Sequence, residues 1–441
     1  METELSAGSV ELWAALGVFL AAYILIFTER IHRTIAALIG AVAMVLVGTF
    51  LGFYDQSAAL ASIDFGTLFL VVGMMVMVAI LEGTGATQYL AIKIAQASRG
   101  RPFLLLAGLG AFTAGASAFL DNVTTMVLIA PLTISIADIL DLSPLPFLTT
   151  EAAFAVMGGL ATLVGDPANI IIGSGSGFGF VDFLVHLAPV AAAVWLGSLA
   201  VFLLIFRDFV RKRPKNVEKL MGIDARKALE DPAGARRMGL VLGAVILLYL
   251  AHQWLGLEPA TVAMLGAALA LVVARPDVRR IFSEVEWSAV FFYGALFVLV
   301  GGLEHVGVLK EFALVFQRFA AGNVLIASVI LLWGAGILSA VVDNVALVIA
   351  LVPVLQRLSN LGLPPEHLTP LWWSLAIGAV LGGLATPIGS SATVVTISIS
   401  ERTETPIDAR RWMAVGVPAW FVGLSLGTLF VVWGVLSGFY A

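Results

Sequence analysis

The chain has 441 residues, of which 60% are hydrophobic and only 12% are charged, and its formal net charge is −5. An ordinary soluble protein carries about 25% charged residues, so this composition excludes an ordinary soluble domain. The chain has no cysteine, which excludes disulfide bonds and thiolate metal sites, and its five histidines show no metal-ligand spacing. Apolar stretches near the ~20 residues that a bilayer span needs recur along the chain. The sequence therefore predicts an all-α polytopic membrane protein.

The first half is predicted to contain spans, a hairpin and a broken helix. As one helix, residues 102–138 would be about 55 Å long, which exceeds the ~30 Å hydrocarbon core. They are better explained as a re-entrant hairpin with Asp121 and Asn122 at its tip. The predicted elements, in chain order, are spans 9–28, 34–53 and 66–84, the hairpin 102–138, a helix 147–180 broken at Val164–Asn169, and a return span 182–206.

One hydrophilic segment, residues 207–237, divides the chain. It contains ten of the 24 Lys and Arg residues, so the positive-inside rule places it in the cytoplasm. Its charges are of mixed sign, which argues against a nucleic-acid partner. We interpret it as a linker between an N-terminal membrane repeat, residues 1–206, and a C-terminal one, residues 238–441. Counting spans outward from it places both termini outside. The acidic N-terminus lacks the basic region of a signal peptide, so the first stretch is expected to remain as a helix.

The second half repeats the pattern from the opposite side of the membrane. Its predicted hairpin, residues 322–359, has Asp343 and Asn344 at the tip, and its broken helix, residues 371–399, is interrupted at Thr386–Thr393. The remaining predicted spans are 238–255, 258–274, 288–305 and 412–438.

A series of matched residues indicates that the halves are duplicates. Asp121 and Asn122 match Asp343 and Asn344 at an offset of 222 residues, and the glycine-rich breaks match at 224. We therefore predict two inverted-topology repeats, with about 10 transmembrane helices plus two re-entrant hairpins and two broken helices. Polar breaks in corresponding places of an internally repeated membrane protein are typical of a secondary transporter.

The hairpin tips supply the first candidate site residues. A charge at the centre of a membrane helix costs about 2.5–3.5 kcal/mol or more, so it is rare unless it faces a cavity or a partner. Asn122 and Asn344 are predicted to bind substrate in one cavity near the midplane. The structural alternative is that Asp121 and Asp343 with their neighbours only cap half-helices. The two roles are compatible.

The glycine-rich breaks supply the other candidates. Gly and Pro open the helical hydrogen-bond ladder, which is tolerated at membrane depth only in protein-buried or water-lined places. A proline kink repaired by neighbouring helices is the structural alternative. The predicted substrate-binding residues of the two breaks are Thr162, Gly165, Asn169, Thr386, Gly389, Ser390 and Thr393.

The two breaks differ in charge. Asp166 corresponds to Ser390, so one half carries an extra carboxylate. If Asp121, Asp166 and Asp343 lie close together, burial and mutual repulsion favour the protonated form near neutral pH. We predict that these three residues carry protons or bind ions, with Asp166 as the first choice. No metal site is predicted.

The motifs Leu120–Thr125, Gly165–Ser174 and Thr386–Thr393 resemble those of the ion transporter superfamily. Within it, they are most similar to the group of arsenite efflux permeases (ArsB), NhaD-type sodium–proton antiporters and P-protein-like transporters. The resemblance covers nearly the whole chain. It implies a hairpin-plus-broken-helix unit that moves against a scaffold formed by the first three spans of each half. The Ser-Asn-Thr signature of the dicarboxylate branch is replaced by Asp-Asn, which argues against a carboxylate substrate.

The resulting expectation is an arsenite or antimonite efflux permease coupled to proton antiport, not an enzyme, in the bacterial inner membrane. The main alternative is a Na⁺/H⁺ antiporter of NhaD type; a transporter of organic or inorganic anions ranks lower, and a channel or receptor lower still. The expected energy source is the proton gradient or possible Na⁺ coupling, with no cofactor. Expected partners are the lipid bilayer and a second copy in a homodimer. The chain lacks an ATP-binding Gly-x-x-x-x-Gly-Lys loop, and nothing in it supports a cytoplasmic ATPase partner.

Overall fold

The computed structural model describes residues 9–28 and 30–440, and every regular element within those residues is helical. The first eight residues, Glu29 and Ala441 lie outside them, and the chain ends to which the prediction of external termini refers are therefore not described. The helices of the first half are α1 Ser9–Thr28, α2 Arg33–Leu51, α3 Gln56–Ala61, α4 Phe65–Glu82, α5 Ala86–Ala97, α6 Pro102–Ser117, α7 Asn122–Ile139, α8 Leu145–Gly159, α9 Pro167–Ser176, α10 Phe180–His186 and α11 Ala188–Ile205.

The charged segment and the second half are also helical. Two short helices, α12 Arg207–Val210 and α13 Val217–Met221, and a 3₁₀ turn, Ala225–Ala228, occupy the predicted linker. The helices that follow are α14 Pro232–Leu255, α15 Pro259–Ala274, α16 Val278–Glu284, α17 Trp287–His305, α18 Val308–Gly322, α19 Val324–Ser339, α20 Asn344–Asn360, α21 Pro365–Gly382, α22 Ser391–Ser400 and α23 Ala409–Ser437.

Eight of the helices in the described part of the chain are long and apolar enough to cross a bilayer, namely α1, α2, α4, α7, α11, α14, α17 and α23. A ninth span arises if α9 and α10, which meet at a bend of 113°, are counted together. Of the shorter apolar helices, α6, α19 and α20 are arms of the hairpins, α22 follows the second break, and α15 packs against α4 and α14. The prediction of an all-α polytopic membrane fold is confirmed.

The helix order of α1–α9 recurs in α14–α22. In each half, a helical hairpin is followed by a helix that stops at a glycine-rich break and resumes as a ten-residue helix, α9 or α22. Each ten-residue helix packs against the hairpin of the other half: α9 against α20, and α22 against α7. The two hairpins and the two broken helices therefore form one body, which we call the hairpin unit.

Small residues bring each hairpin close to the broken helix of its own half. A Cβ atom added to Gly158 of α8 would lie 2.1 Å from the carbonyl oxygen of Ala114 on α6. The second half repeats this approach at the matching Gly382, where a Cβ atom would lie 2.7 Å from the carbonyl oxygen of Gly336. Only glycine allows the backbones to come this close, so each break is held directly behind a hairpin tip.

The charged segment is folded onto the first half. The Gln96 side chain of α5 donates hydrogen bonds to the carbonyl oxygens of Leu220, at 3.2 Å, and Ile223, at 2.7 Å. Lys215 forms an ion pair with Asp141, just beyond α7, at 2.7 Å. The hydrogen bond from Lys215 lowers the pKa of the Asp141 carboxyl below its usual value. Since α14 begins inside the predicted linker, the connection is a docked segment that contacts both α5 and the end of α7.

Candidate functional site

The carboxylates at the hairpin tips cap the second arm of each hairpin. Asp121 accepts hydrogen bonds from the backbone N–H groups of Val123, at 2.7 Å, and Thr124, at 3.3 Å. Asp343 accepts equivalent bonds from Val345, at 3.0 Å, and Ala346, at 3.4 Å. Each aspartate thus satisfies free N–H groups at a helix N-terminus. The structural alternative, in which Asp121 and Asp343 cap half-helices, is therefore observed for these two carboxylates.

The amides at the tips meet at a single carboxylate, Asp166. The Nδ2 atom of Asn122 donates to Asp166 Oδ2 at 2.8 Å. The Nδ2 atom of Asn344, from the other half, donates to Oδ1 at 3.1 Å and to Oδ2 at 3.2 Å. Asp166 also accepts a bond from Ala168 N, at 2.9 Å, which caps α9, and its side chain is only 1% exposed. The structure therefore brings Asn122, Asn344 and Asp166 together where the two repeats meet.

An arginine of the scaffold reaches the same region. Arg33, the first residue of α2, donates from Nη1 to Asp343 Oδ2 at 3.1 Å and to Ser391 Oγ at 2.8 Å. Its guanidinium carbon lies 5.3 Å from the ring centre of Phe292. Arg33 is not among the site residues that the sequence predicted. Its sequence signal is weak, because a basic residue in the turn between two spans also fits the ordinary pattern of a cytoplasmic loop.

Two cavities open beside the tips and share Arg33, Glu286 and Ser391 in their walls. The larger, about 600 Å³, also reaches Asp343, and the smaller, about 40 Å³, also reaches Asp121. Glu286 occupies the position of Asp64 in the first half, but only Asp64 caps its helix, by accepting from Thr67 N at 3.0 Å. Arg33 is the only Arg or Lys among the cavity-lining residues in the described part of the chain. Carboxylates therefore dominate the charge around the tips.

The threonines of the two breaks fasten them to the hairpins. Thr162 donates its hydroxyl hydrogen to the Ala118 carbonyl oxygen and accepts from Gly165 N at 3.1 Å. Thr386 does the same with the Ala340 carbonyl oxygen, at 2.5 Å, and with Gly389 N, at 3.1 Å. These hydroxyl and amide groups serve internal hydrogen bonds in the conformation described here. Thr162, Gly165, Thr386 and Gly389 therefore position the tips, and their role as substrate ligands stays a prediction.

The remaining predicted residues are buried in or next to the breaks. The Asn169 amide, with no exposed surface, donates to the carbonyl oxygens of Gly159, Leu160 and Thr162, at 3.1, 3.2 and 2.9 Å. It closes the break before α9. Ser390 precedes α22 and is 7% exposed, and its side chain forms no capping bond. Thr393 is fully buried, and its hydroxyl has no hydrogen-bond partner among the described residues.

Comparisons with known proteins agree with this architecture. A family model described as "CitMHS: Citrate transporter" matches residues 23–378. An uncharacterised transporter of Mycobacterium tuberculosis is 35% identical over 421 residues, which cover 95% of this chain and 97% of that one. The P protein of Homo sapiens is 30% identical over 508 residues, covering 96% of this chain and 60% of the P protein.

A solved structure shares the fold. The YdaH transporter of Alcanivorax borkumensis superposes with a TM-score of 0.58 at 16% identity, covering 98% of each chain. The predicted likeness to P-protein-like transporters is thus confirmed. None of these descriptions mentions arsenite, antimonite or sodium, so the more specific likeness to arsenite permeases and NhaD-type antiporters stays a prediction.

Proposed function

We propose that this chain, which belongs to the CitMHS citrate transporter family, is a secondary transporter driven by the proton gradient, with Asp166 as the residue that carries the coupling proton. The observation that supports this most directly is the convergence of both tip amides on one buried carboxylate. The described donors to Asp166 are all uncharged amides. A change in its protonation would therefore change the contact between the two hairpins.

Protonation of Asp166 would alter its bonds in a definite way. An ionised carboxylate accepts charge-assisted bonds from both Asn122 and Asn344, which are about twice as strong as bonds between neutral groups. A protonated carboxyl has a donor of its own and less capacity to accept, so it holds the amides more weakly. The amides would then be free to bind a solute. Proton and solute would favour different arrangements of the tips, which is the thermodynamic requirement for coupling them.

The charge around the tips favours an uncharged or cationic solute. Asp121, Asp343 and Glu286 line the cavities, and Arg33 is the single Arg or Lys among the described lining residues, an arrangement that repels a free tricarboxylate. Arsenite or antimonite, which is mostly an uncharged hydroxide at neutral pH, needs only hydrogen-bonding oxygens and amides, and it remains our first candidate. The surplus of carboxylates favours Na⁺ as the second. Citrate, which the family description names, would have to enter with its charge neutralised by bound cations.

Transport into proteoliposomes under an imposed pH gradient tests this proposal. Arsenite, Na⁺ and citrate would be offered in separate experiments, each with and without a protonophore. We expect accumulation of arsenite, or of Na⁺ if the second candidate holds, that disappears when the protonophore collapses the gradient. Citrate accumulation would overturn the proposed solute class, and accumulation insensitive to the protonophore would overturn proton coupling.

The variant Asp166→Asn tests the coupling residue. It keeps the size of the side chain and removes its charge, so the accumulation driven by the gradient should fall by about tenfold or more, because a hydrogen bond to a charged group contributes about 1.5–3 kcal/mol. Asp138→Asn, on the exposed surface of α7, is the matched control and should behave as the wild type. An unchanged pH dependence in Asp166→Asn would rule out the assignment.

A further inference from the structure

A second buried carboxyl lies within the hairpin unit, away from the tips. Glu151 of α8 is 1% exposed, and its Oε1 atom accepts a hydrogen bond from the Thr133 hydroxyl of α7 at 2.8 Å. Its other oxygen, Oε2, is buried without a hydrogen-bond partner among the described residues. Burying a carboxyl group with an unsatisfied oxygen costs several kcal/mol if it is ionised, and less if it holds a proton. The free energy needed to ionise such a carboxyl group is set by the groups around it.

The duplicated half shows that the fold does not need this polar pair. Thr133 corresponds to Leu355 at the hairpin offset of 222 residues, and Glu151 corresponds to Leu375 at the break offset of 224. Both leucines are buried, with 2% and 0% exposure. The same backbone arrangement is thus built once around two leucines and once around a threonine and a glutamate. The polar version is retained in the half that also carries Asp166.

Further unpaired polar groups lie on the helices that connect Glu151 with the tips. The hydroxyls of Thr125, on α7, and Thr393, on α22, are fully buried and have no hydrogen-bond partner in the described residues. Helix α22 packs against both α7 and α8, so the two hydroxyls are carried by helices that meet in one three-helix interface. Thr125 also corresponds to a leucine, Leu347, in the other half. At 1.5 Å per residue, the eleven residues from Asn122 to Thr133 span about 16 Å along α7.

The helices around Glu151 present no countercharge to it in the described part of the chain. Helices α6, α11 and α22 contain no ionisable side chain, and the single one on α7, Asp138, is exposed. The ionisable residues of α21 and α23 lie in their first turns, namely Glu366 and His367, and Arg410 and Arg411. A negative charge on Glu151 is therefore stabilised mainly by the Thr133 hydroxyl.

We propose that Glu151 is a second proton-carrying side chain, which exchanges the coupling proton with Asp166 through the α7–α8–α22 interface. The inference rests on the proposed function of Asp166. An O–H bond of the protonated Asp166 breaks and an O–H bond forms on Glu151. The hydroxyls of Thr125 and Thr393 do not contact one another through hydrogen bonds here, so water molecules complete the chain, and each water or hydroxyl accepts one proton and donates another. Glu151 lies toward the end of α7 that contacts the charged segment. The relay therefore joins the tips to the face of the protein that the charge distribution places in the cytoplasm.

Infrared difference spectroscopy of the purified protein during a pH titration tests this without a transported solute. The wild type should show two buried carboxylic acid C=O bands that appear as the pH falls. Glu151→Gln, which keeps the size and the bond to Thr133, should remove one band, and Asp166→Asn should remove the other. A structural Glu151 that never changes its protonation state would give no pH-dependent band, and that result would overturn the inference.

Transport measurements separate this inference from the proposed function. In Glu151→Gln, gradient-driven arsenite or Na⁺ accumulation should fall by about tenfold or more, as for a lost step of proton transfer. Exchange of the same solute at equal pH on both sides, which moves no net proton, should persist. Normal accumulation in Glu151→Gln with a defect in Asp166→Asn would overturn the relay and leave the proposed function standing. A wild type without proton-coupled transport would overturn both.

A second variant keeps the test valid if Glu151→Gln is unstable. The double variant Thr133→Leu and Glu151→Leu copies the residues of the other half. Replacing a buried polar pair by apolar residues is often neutral or stabilising, so this variant should melt at the wild-type temperature or above. It should still lose gradient-driven accumulation. A stable double variant with wild-type accumulation would contradict the relay.

Discussion

The two asparagines at the tips have the same partner but different surroundings. Asn122 is 7% exposed and its Oδ1 atom also accepts a hydrogen bond from Ser117, whereas Asn344 is only partly buried. Loss of the Asn122 side chain removes one hydrogen-bond partner from the buried Ser117 hydroxyl and one from the buried Asp166 carboxylate. Loss of the Asn344 side chain affects the carboxylate alone. The two residues should therefore be equally important for transport and unequally important for stability.

Alanine substitutions test this difference. Asn122→Ala and Asn344→Ala should each abolish transport, because each removes one of the two amides that hold Asp166. Asn122→Ala should also lower the free energy of unfolding more, by about 1–3 kcal/mol for the groups left without partners. Transport rates and melting temperatures would be compared with Asn360→Ala, an exposed control at the end of α20. Transport at the wild-type rate in either tip variant would remove that amide from the site.

The sequence pointed to the residues that meet at the centre of the candidate site, but not to those that surround them. Asn122 and Asn344 stand in repeated motifs, so the duplication itself marked them, and Asp166 was marked by its difference from Ser390 in the matching break. Arg33 contacts Asp343 across a separation of 310 residues. Nothing in the local pattern around Arg33 specifies which distant group it meets. Glu286 was matched to Asp64 in the repeat, yet whether a carboxylate caps its own helix or faces a cavity depends on side-chain geometry.

At the scale of the elements, the short helices α9 and α22 are half-spans. Ten residues give a helix of about 15 Å, which is half the ~30 Å hydrocarbon core. Each half-span therefore needs a fixed point at its inner end. The threonine of each break supplies one, by bonding both to the hairpin and to the chain entering the half-span. The two halves use this arrangement symmetrically.

Valine substitutions test the threonine contacts. Thr162→Val and Thr386→Val keep the shape and remove the hydroxyl, leaving a carbonyl oxygen and an N–H group unpaired. Thermal unfolding should show a loss of about 1–3 kcal/mol, and Thr162→Val should cost more because Thr162 is more deeply buried. Thr369→Val, which removes a bond within α21, is the control. Equal melting temperatures in all three variants would show that the breaks are held by other contacts.

The hairpins were predicted almost to their ends, and the breaks less accurately. Proline, glycine and an Asp-Asn pair mark a helix start clearly, and α7 and α20 begin at the predicted tips. The first break was predicted at Val164–Asn169, whereas α8 ends at Gly159 and α9 already begins at Pro167. The residues that follow Gly159 are apolar, so hydropathy alone extends the helix through them. Their carbonyl oxygens are instead bound by Asn169, a contact that no periodicity reveals.

Across the whole molecule, the halves are joined by packing and by the charged segment. Gly85, before α5, has a positive φ of 74°, and a Cβ atom there would lie 2.0 Å from the carbonyl oxygen of Ala228 in the segment. Its counterpart in the repeat, Gly307, has a φ of 81° but open space around it. The same glycine turn therefore occurs in both halves, but only in the first half does the charged segment pack against it.

This pair of glycines gives a matched test of the docked segment. Both Gly85→Ala and Gly307→Ala force a side chain into left-handed backbone, which costs about 1–2 kcal/mol. Gly85→Ala should lower the melting temperature further and make residues 207–237 more sensitive to limited proteolysis, because it displaces Ala228. Similar melting temperatures and cleavage patterns in the two variants would contradict docking of the segment on α5.

The duplication was readable from the sequence, but the interlocking of the halves was not. A constant offset between matched residues predicts two copies of one fold. It does not predict that α9 packs against α20 while α22 packs against α7, since that depends on how the copies face one another. The sequence likewise predicted the charged segment only as a linker, because its mixed charges do not indicate the contacts that Gln96 and Lys215 make.

The bond between Asn344 and Asp166 joins residues 178 positions apart. While the chain is being synthesised, the aspartate therefore enters the membrane long before its second amide exists. At about 5–20 residues per second, this interval lasts roughly 10–35 s. During that time the nascent N-terminal repeat must keep the Asp166 carboxyl group in the membrane with only one of its two asparagine donors. The protonated form of the carboxyl group is the less costly one to insert. Biogenesis of this transporter would then begin with the same proton uptake that we propose for its transport cycle.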